Sequence, residues 1–278
     1  MRRRVARRAG SRPRAPIACA TMPNELASLA KLAARAADAA RVEILPRFRQ
    51  VTVEIKKDGS PVTEADRAAE QAIRRVLHQG DPGAAILGEE FGAEGEWKRG
   101  AAWVIDPIDG TIGFSRGIPL FSTIIARLED GVPVLGLIDV PGIGERTVGW
   151  KGGGVFRNGT PVRCSQETDL RNAFVSHGDV FCFDRCNERP AFERIAREVR
   201  ILRGYTDAFG HAQVLAGGID AMVDLDLNPW DAAATQILVP EAGGRCVTIE
   251  YPERGKLGLV FGAPALVEQL VGFLATRA

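Results

Sequence analysis

The stretch from Trp103 to Phe114 constrains the fold of this chain more than any other. Ala101 to Ile105 is an apolar run of the kind a buried strand needs, and it ends abruptly in Asp106, whose carboxylate is costly to desolvate. Pro107 has no N–H to give a sheet ladder, so strand pairing is expected to stop there. Asp109 follows after one apolar residue, and Gly110 permits a positive φ, so two carboxylates and a carbonyl can converge just outside the strand end. Like unit charges about 4 Å apart repel by roughly 4 kcal/mol at an effective dielectric near 20, so the pair calls for a hard cation such as Mg²⁺. The competing reading is an Asx turn closed by Asp109 and Gly110, which hairpins use often.

A turn alone does not need so long a pattern. Ala84 to Leu87 is a second short apolar strand that ends in acids, Glu89 and Glu90. A third block, Leu227-Asn228-Pro229-Trp230-Asp231-Ala232-Ala233, is followed by Glu241-Ala242-Gly243-Gly244. With Asp106-Pro107-Ile108-Asp109-Gly110-Thr111, these blocks resemble the inositol monophosphatase superfamily of metal-dependent, lithium-sensitive phosphatases, and the resemblance runs from about Glu25 to the C-terminus. It implies an α+β fold, a layered αβαβα sandwich of two sheets between helices, with the site between the two halves. It also implies a small-molecule phosphate ester as substrate, Mg²⁺ as cofactor and a homodimer. Carried over residue by residue, Glu89, Asp106, Asp109, Asp231 and the carbonyl of Ile108 are implied as metal ligands, with Glu90 a weaker contributor. Asp66 and Thr111 are implied to orient and deprotonate the attacking water beside Glu89. Backbone N–H groups of Gly110 and Thr111 are implied to face the phosphate, with Asp231 also near the substrate.

Within the superfamily, three segments look most like the histidinol-phosphatase branch: Gly117 to Phe121, Gly152 to Gly159, and Arg203 to Gly210. Ile112 departs from that branch, which often has a polar residue there. Histidinol carries an ammonium and an imidazole, so its phosphate calls for carboxylates beyond the phosphate site. Asp224 occupies the position of a substrate-binding Glu in inositol phosphatases, and Asp207 lies in the histidinol-like segment. Asp224 also reads as the end of a strand from Ala221, and Asp207 as a helix cap. Inositol-1-phosphate and fructose-1,6-bisphosphate are the alternative substrates.

Composition fits an ordinary globular protein, with 45% hydrophobic and 26% charged residues. Seven Arg and no acid occupy residues 1–21, leaving 29 Lys+Arg against 35 Asp+Glu in the rest. The body is therefore acidic and offers no basic surface for nucleic acid. Residues 1–21 read as a disordered basic extension, a transit segment or a misassigned start with Met22 as first residue. Residues 22–278 read as one phosphatase domain, β-rich over about 22–185 and α/β over about 186–278. No apolar run approaches a membrane span, and Cys19, Cys164, Cys182, Cys186 and Cys246 lack the spacing of a disulfide framework, so a reduced, cytoplasmic protein is expected.

Apolar spacing predicts a long helix from Asn24, stopped by Pro46. A strand is expected over Val51 to Ile55, and Thr63-Glu64-Ala65-Asp66 is an acidic capping box opening a second helix, with Asp66 favourable to the helix dipole. Phe121 to Leu128 and Val134 to Val140 predict a hairpin, and helices and strands alternate from Pro190 onward. Gly113-Phe114-Ser115-Arg116-Gly117 matches a nucleophile elbow, but such an elbow directly follows a strand and opens a helix, and here Asp106 to Thr111 intervene. His78, His177 and His211 read as surface or core residues. A serine hydrolase using Ser115 and a non-enzymatic metal-binding module are the rivals from other classes, and turnover of a phosphate ester with Mg²⁺ separates the three.

Overall fold

The computed structural model describes residues 23–56 and 59–274. The basic segment, Met22 and Cys19 lie outside these residues, as do Lys57 and Asp58. In chain order the elements open with α1 (Pro23–Ile44), β1 (Glu54–Ile55), β2 (Pro61–Val62), α2 (Glu64–Gly80), β3 (Ala85–Gly88) and β4 (Gly92–Glu94). The central motif forms β5 (Ala101–Asp109) and α3 (Thr111–Ser115). A β-rich middle follows: β6 (Ser122–Glu129), β7 (Val132–Val140), β8 (Glu145–Trp150), β9 (Gly154–Arg157) and β10 (Thr160–Pro161). The remainder comprises β11 (Phe174–His177), α4 (Val180–Arg185), α5 (Arg189–Glu198), β12 (Ile201–Arg203) and α6 (Asp207–Leu215). It closes with β13 (Ala221–Leu227), α7 (Pro229–Glu241), β14 (Arg245–Tyr251), β15 (Lys256–Gly262) and α8 (Pro264–Val271).

Two large sheets result, one of eight strands in the order β10-β9-β8-β7-β6-β5-β3-β4 and one of five in the order β12-β11-β13-β15-β14. Three apolar clusters glue the layers, and their membership explains the stacking. The Ala-rich face of α1 (Ala33, Ala36, Ala37, Ala40) and α2 residues Ile73 and Leu77 pack on Trp103, Ile105 and Ile125 of the larger sheet. Small side chains let this helix pair approach the sheet closely. Ala212 and Leu215 of α6, with Ala233, Ala234 and Leu238 of α7, fill the space between the sheets against Ile124, Ile138, Met222 and Phe261. The outer face of the smaller sheet is covered by α4, α5 and α8 through Phe183, Ile195 and Leu266. The layers are therefore helices, sheet, helices, sheet, helices, as expected.

Several sequence expectations changed in detail. Pro107 does not end its strand. β5 continues to Asp109 because the ladder with β6 bulges between Asp106 and Asp109 and resumes at Asp109 opposite Ser122. The bulge leaves Pro107 without the ladder bond it could not make, and Thr123 Oγ1 donates to its carbonyl instead at 2.8 Å. The strand foreseen at Val51 shrinks to Glu54–Ile55, paired only with β2. The four described cysteines are free, and burial pushes the Cys182 thiol up to about 12. Among the described residues no helix is long and apolar enough to cross a membrane.

Candidate active site

The β5 bulge is the device that builds the site. It lets Asp106 and Asp109 project from one strand end into a single cavity, and Gly110 turns the chain out of the strand at φ 84°. Asp231 arrives from the first turn of α7, where its Oδ2 accepts from the backbone N–H of Asn228 at 2.7 Å and from the Asn228 amide at 3.3 Å. Carboxylate oxygens of Asp106, Asp109 and Asp231 all lie within 4.8 Å of one another. Burial first, and the neighbouring carboxylates second, hold Asp106 and Asp109 well above the usual carboxylate range. Burial likewise pushes Asp231 up to about 7. Oδ1 of Asp106 is buried without a hydrogen-bond partner, whereas the Asp109 Oδ2 accepts from the N–H of Ala208 at 2.5 Å. Three converging acids, Asp106 buried with an orphaned oxygen and Asp109 and Asp231 half-buried, are a donor set suited to a hard cation, which can take the place of the missing donors.

Glu89 and Glu90 are arranged differently from the implied ligand set. Both are gripped by the ammonium of Lys56, at 2.9 Å and 2.6 Å, and neither joins the three-acid group. Burial pushes Glu90 up to about 7 in spite of the ammonium. Burial by itself would lower Lys56, but its bonds to Glu90 and Glu89 outweigh that and raise it. The acidic motifs themselves contain no basic residue, and Lys56, 33 residues before Glu89 in the chain, reaches them only through the fold. Glu70 escaped as well. Fully buried on α2, it accepts from the N–H of Glu90 at 2.7 Å and of Phe91 at 3.2 Å, fixing the peptide that carries the acidic pair. Gly88 makes this approach possible, because a Cβ there would lie 2.1 Å from the Glu70 carboxylate.

Asp66 combines its two expected positions. As the third residue of α2 its Oδ2 accepts from the Thr63 N–H at 2.9 Å and the Thr63 hydroxyl at 2.6 Å, closing the capping box. Its Oδ1 lies 3.2 Å from the Thr111 hydroxyl, which also reaches the Ile108 carbonyl at 2.9 Å. Burial raises the Asp66 carboxyl. Ser115 sits inside α3, half-buried, with its hydroxyl donating to the Ile112 carbonyl at 2.9 Å, so no nucleophile elbow exists there.

Beyond the acids, a cavity of about 780 Å³ extends to the ends of β11 and β13. Asp207 lines it from the first position of α6, at φ 62°, and Thr206 holds the cap position without a side-chain capping bond. Asp207 is therefore not the helix cap that its sequence position suggested. Asp224 lines the cavity from β13, which runs on to Leu227 and does not end at Asp224. Its Oδ2 lies 3.0 Å from His211 Nε2, and His211 Nδ1 lies 2.7 Å from the Thr235 hydroxyl. No Lys or Arg lines the cavity among the described residues.

The inositol monophosphatase family model matches residues 23–268. A histidinol-phosphatase of Streptomyces coelicolor is 35% identical over 270 residues, covering 92% of this chain and 100% of that protein. One from Mycobacterium tuberculosis is 35% identical over 219 residues, 76% of this chain and 84% of its own length. A fructose-1,6-bisphosphatase/inositol-1-monophosphatase of Thermotoga maritima is 38% identical over 185 residues, 66% of this chain and 69% of that one. Among solved structures, the extragenic suppressor protein suhB of Bartonella henselae superposes with a TM-score of 0.79 at 25% identity, over 91% of this chain and 99% of that one. The inositol monophosphatase of Thermotoga maritima superposes at 0.76 with 30% identity, over 90% and 96%. With a match across nearly the whole described chain, the protein belongs to the inositol monophosphatase family and is a phosphoric monoester hydrolase.

Proposed function

We propose that the chain hydrolyses L-histidinol phosphate with Mg²⁺ bound by Asp106, Asp109 and Asp231. The observation that carries the substrate is the charge of the cavity wall. Asp179, Asp207, Asp224 and Asp226 line it beyond the three-acid group, with no Lys or Arg among the lining residues. Asp226 is neutralised from outside by Arg185 at 2.6 Å and Arg254 at 2.8 Å, and Arg185 comes within 4.0 Å of Asp179. Among the described residues neither Asp207 nor Asp224 pairs with such a guanidinium, and a cationic alcohol moiety would complement them. A second phosphate, as in fructose-1,6-bisphosphate, would meet only like charge there. The histidinol-phosphatase names of relatives at 35% identity support the same reading.

The roles of the chain's own groups follow from their bonds. Bound Mg²⁺ would supply charge neutralisation at the phosphoryl oxygens and a lowered water pKa. Glu89, which lines the same cavity and shares Lys56 with Glu90, would add negative charge to the field that attracts the ion. Asp66, raised by burial and tied to Thr111, is suited to take a proton through the Thr111 hydroxyl. The Thr63 bonds hold Asp66 in the rotamer that reaches Thr111. The N–H groups of Gly110 and Thr111 would donate to phosphate oxygens.

A panel of phosphate esters tests the assignment. L-Histidinol phosphate should be preferred over inositol-1-phosphate and fructose-1,6-bisphosphate by more than about tenfold in kcat/KM, roughly 1.4 kcal/mol of transition-state discrimination. EDTA should abolish turnover and Mg²⁺ restore it. Preference for a polyol or sugar phosphate would remove the histidinol assignment, and full activity in metal-free protein would remove the mechanism.

A further inference from the structure

The bulge of β13 between Asp224 and Leu227 turns Asp224 toward the cavity, and both of its oxygens are constrained. A carboxylate only accepts, so His211 presents Nε2–H to Oδ2 at 3.0 Å. In the neutral ring Nδ1 then accepts from the Thr235 hydroxyl at 2.7 Å. His211 is 1% exposed and packs edge-on against Phe261, with ring centres 4.8 Å apart, so its ring has no room to turn. Oδ1 of Asp224 lies where Gly178 lacks a side chain: a Cβ there would be 1.9 Å away. Three elements meet at this imidazole. His211 is one turn after Asp207 on α6, Thr235 is one turn after Asp231 on α7, and Asp224 comes from β13.

We propose that His211 is a positioning residue for substrate specificity, which holds Oδ2 of Asp224 so that Oδ1, beside Gly178 of the cavity wall, meets the cationic part of the substrate. This rests on the reading of Asp224 as the contact for a cationic alcohol moiety. Without the imidazole the carboxylate loses its buried donor, turns toward other partners and no longer offers a fixed oxygen to the substrate. His211 thereby ties the specificity wall to the helix that delivers Asp231.

The test measures kcat and KM for L-histidinol phosphate and for p-nitrophenyl phosphate, which lacks a cation. His211→Phe, which keeps the ring packing, should lower the ratio of kcat/KM values for the two esters about tenfold, chiefly through KM for L-histidinol phosphate. His211→Gln, which restores an N–H donor, should recover most of that ratio. The His211→Phe/Asp224→Asn double variant should lose no more of it than Asp224→Asn by itself. Gly178→Ala, which displaces Oδ1 without touching His211, should reproduce the loss if His211→Phe folds poorly. An unchanged ratio in His211→Phe and Gly178→Ala, equal losses on both esters, or additive losses in the double variant would overturn the proposal. A wild-type enzyme with no preference for L-histidinol phosphate over inositol-1-phosphate overturns the substrate assignment and this proposal with it. A wild-type preference with unchanged ratios in the variants overturns the role of His211 alone.

Discussion

Asp106→Asn should make the metal-free protein more stable while destroying its function. The oxygens of Asp106, Asp109 and Asp231 lie within 4.8 Å of one another. At that separation each ionised pair repels by about 3 kcal/mol at an effective dielectric near 20, and Asp106 belongs to two pairs. Partial protonation already relieves part of this, since all three carboxyls are raised and Asp231 stands at about 7. The net gain at pH 8 is then on the order of 2–3 kcal/mol, or about 3–5 °C in Tm for a chain of this size. The new amide can also donate to the neighbouring carboxylates, whereas Oδ1 of Asp106 now has no partner. The sign with pH follows from the direction of the shifts. Raised folded-state values mean that the folded chain binds more protons than the unfolded chain between about pH 4 and about pH 7, so metal-free stability falls as pH rises through that window. Asp106→Asn should flatten this fall. With saturating Mg²⁺ the order should reverse, because at a thousandfold excess over Kd the ion adds about 4.1 kcal/mol to a protein that binds it, more than the amide gains. Thermal unfolding in EDTA and in Mg²⁺ at pH 6 and pH 8 measures all four states. A metal-free Asp106→Asn variant less stable than wild type at pH 8, or a wild type indifferent to Mg²⁺, would refute the reasoning.

Asp109→Asn should fold yet lose tens-fold or more in kcat, because the amide keeps the shape and removes the charge; Ser115→Ala should be nearly silent, since that hydroxyl bonds only the Ile112 carbonyl, and the opposite pattern in initial rates would revive a serine nucleophile. Gly110→Ala should cost about 1–2 kcal/mol from its positive φ and more from the contact with Asp207, whose Oδ2 would be 3.0 Å from the new Cβ; urea denaturation and kcat should fall together. Lys56→Met should destabilise the metal-free protein by about 2 kcal/mol, because Glu89 and Glu90 lose their shared cation, and Mg²⁺ should recover part of the loss in thermal unfolding if the ion takes over that charge.

The sequence by itself determined the parts of this protein that are local. The apolar run of β5 with its terminal acids, the capping box from Thr63 to Asp66, the helix ended near Pro46 and the turn at Gly110 are each written in a few adjacent residues. Periodicity and turn chemistry act over that range. Asp66 was legible locally as a helix's third residue, whereas its place beside Thr111 was implied by the family resemblance. Glu89 and Glu90 were legible as an acidic strand end, but not as partners of Lys56.

Tertiary structure decided what depends on distant segments meeting. Pro107 looked like a stop, yet the partner strand accommodated it with a bulge, and that bulge aims Asp106 and Asp109 at one point. Nothing in the local sequence singles out Glu70, and only the fold shows it buried beneath the Glu89-Glu90 peptide. His211 read as a surface or core residue, and it is buried, but its two ring nitrogens join strand and helix across 13 and 24 residues. The separation of the three acids and the lack of Lys or Arg among the described residues of the cavity wall are likewise sums over strands, loops and helices far apart in the chain. Local sequence sets which backbone shapes are cheap; the burial that shifts a carboxyl's pKa or orphans its oxygen is set only when the layers close over it.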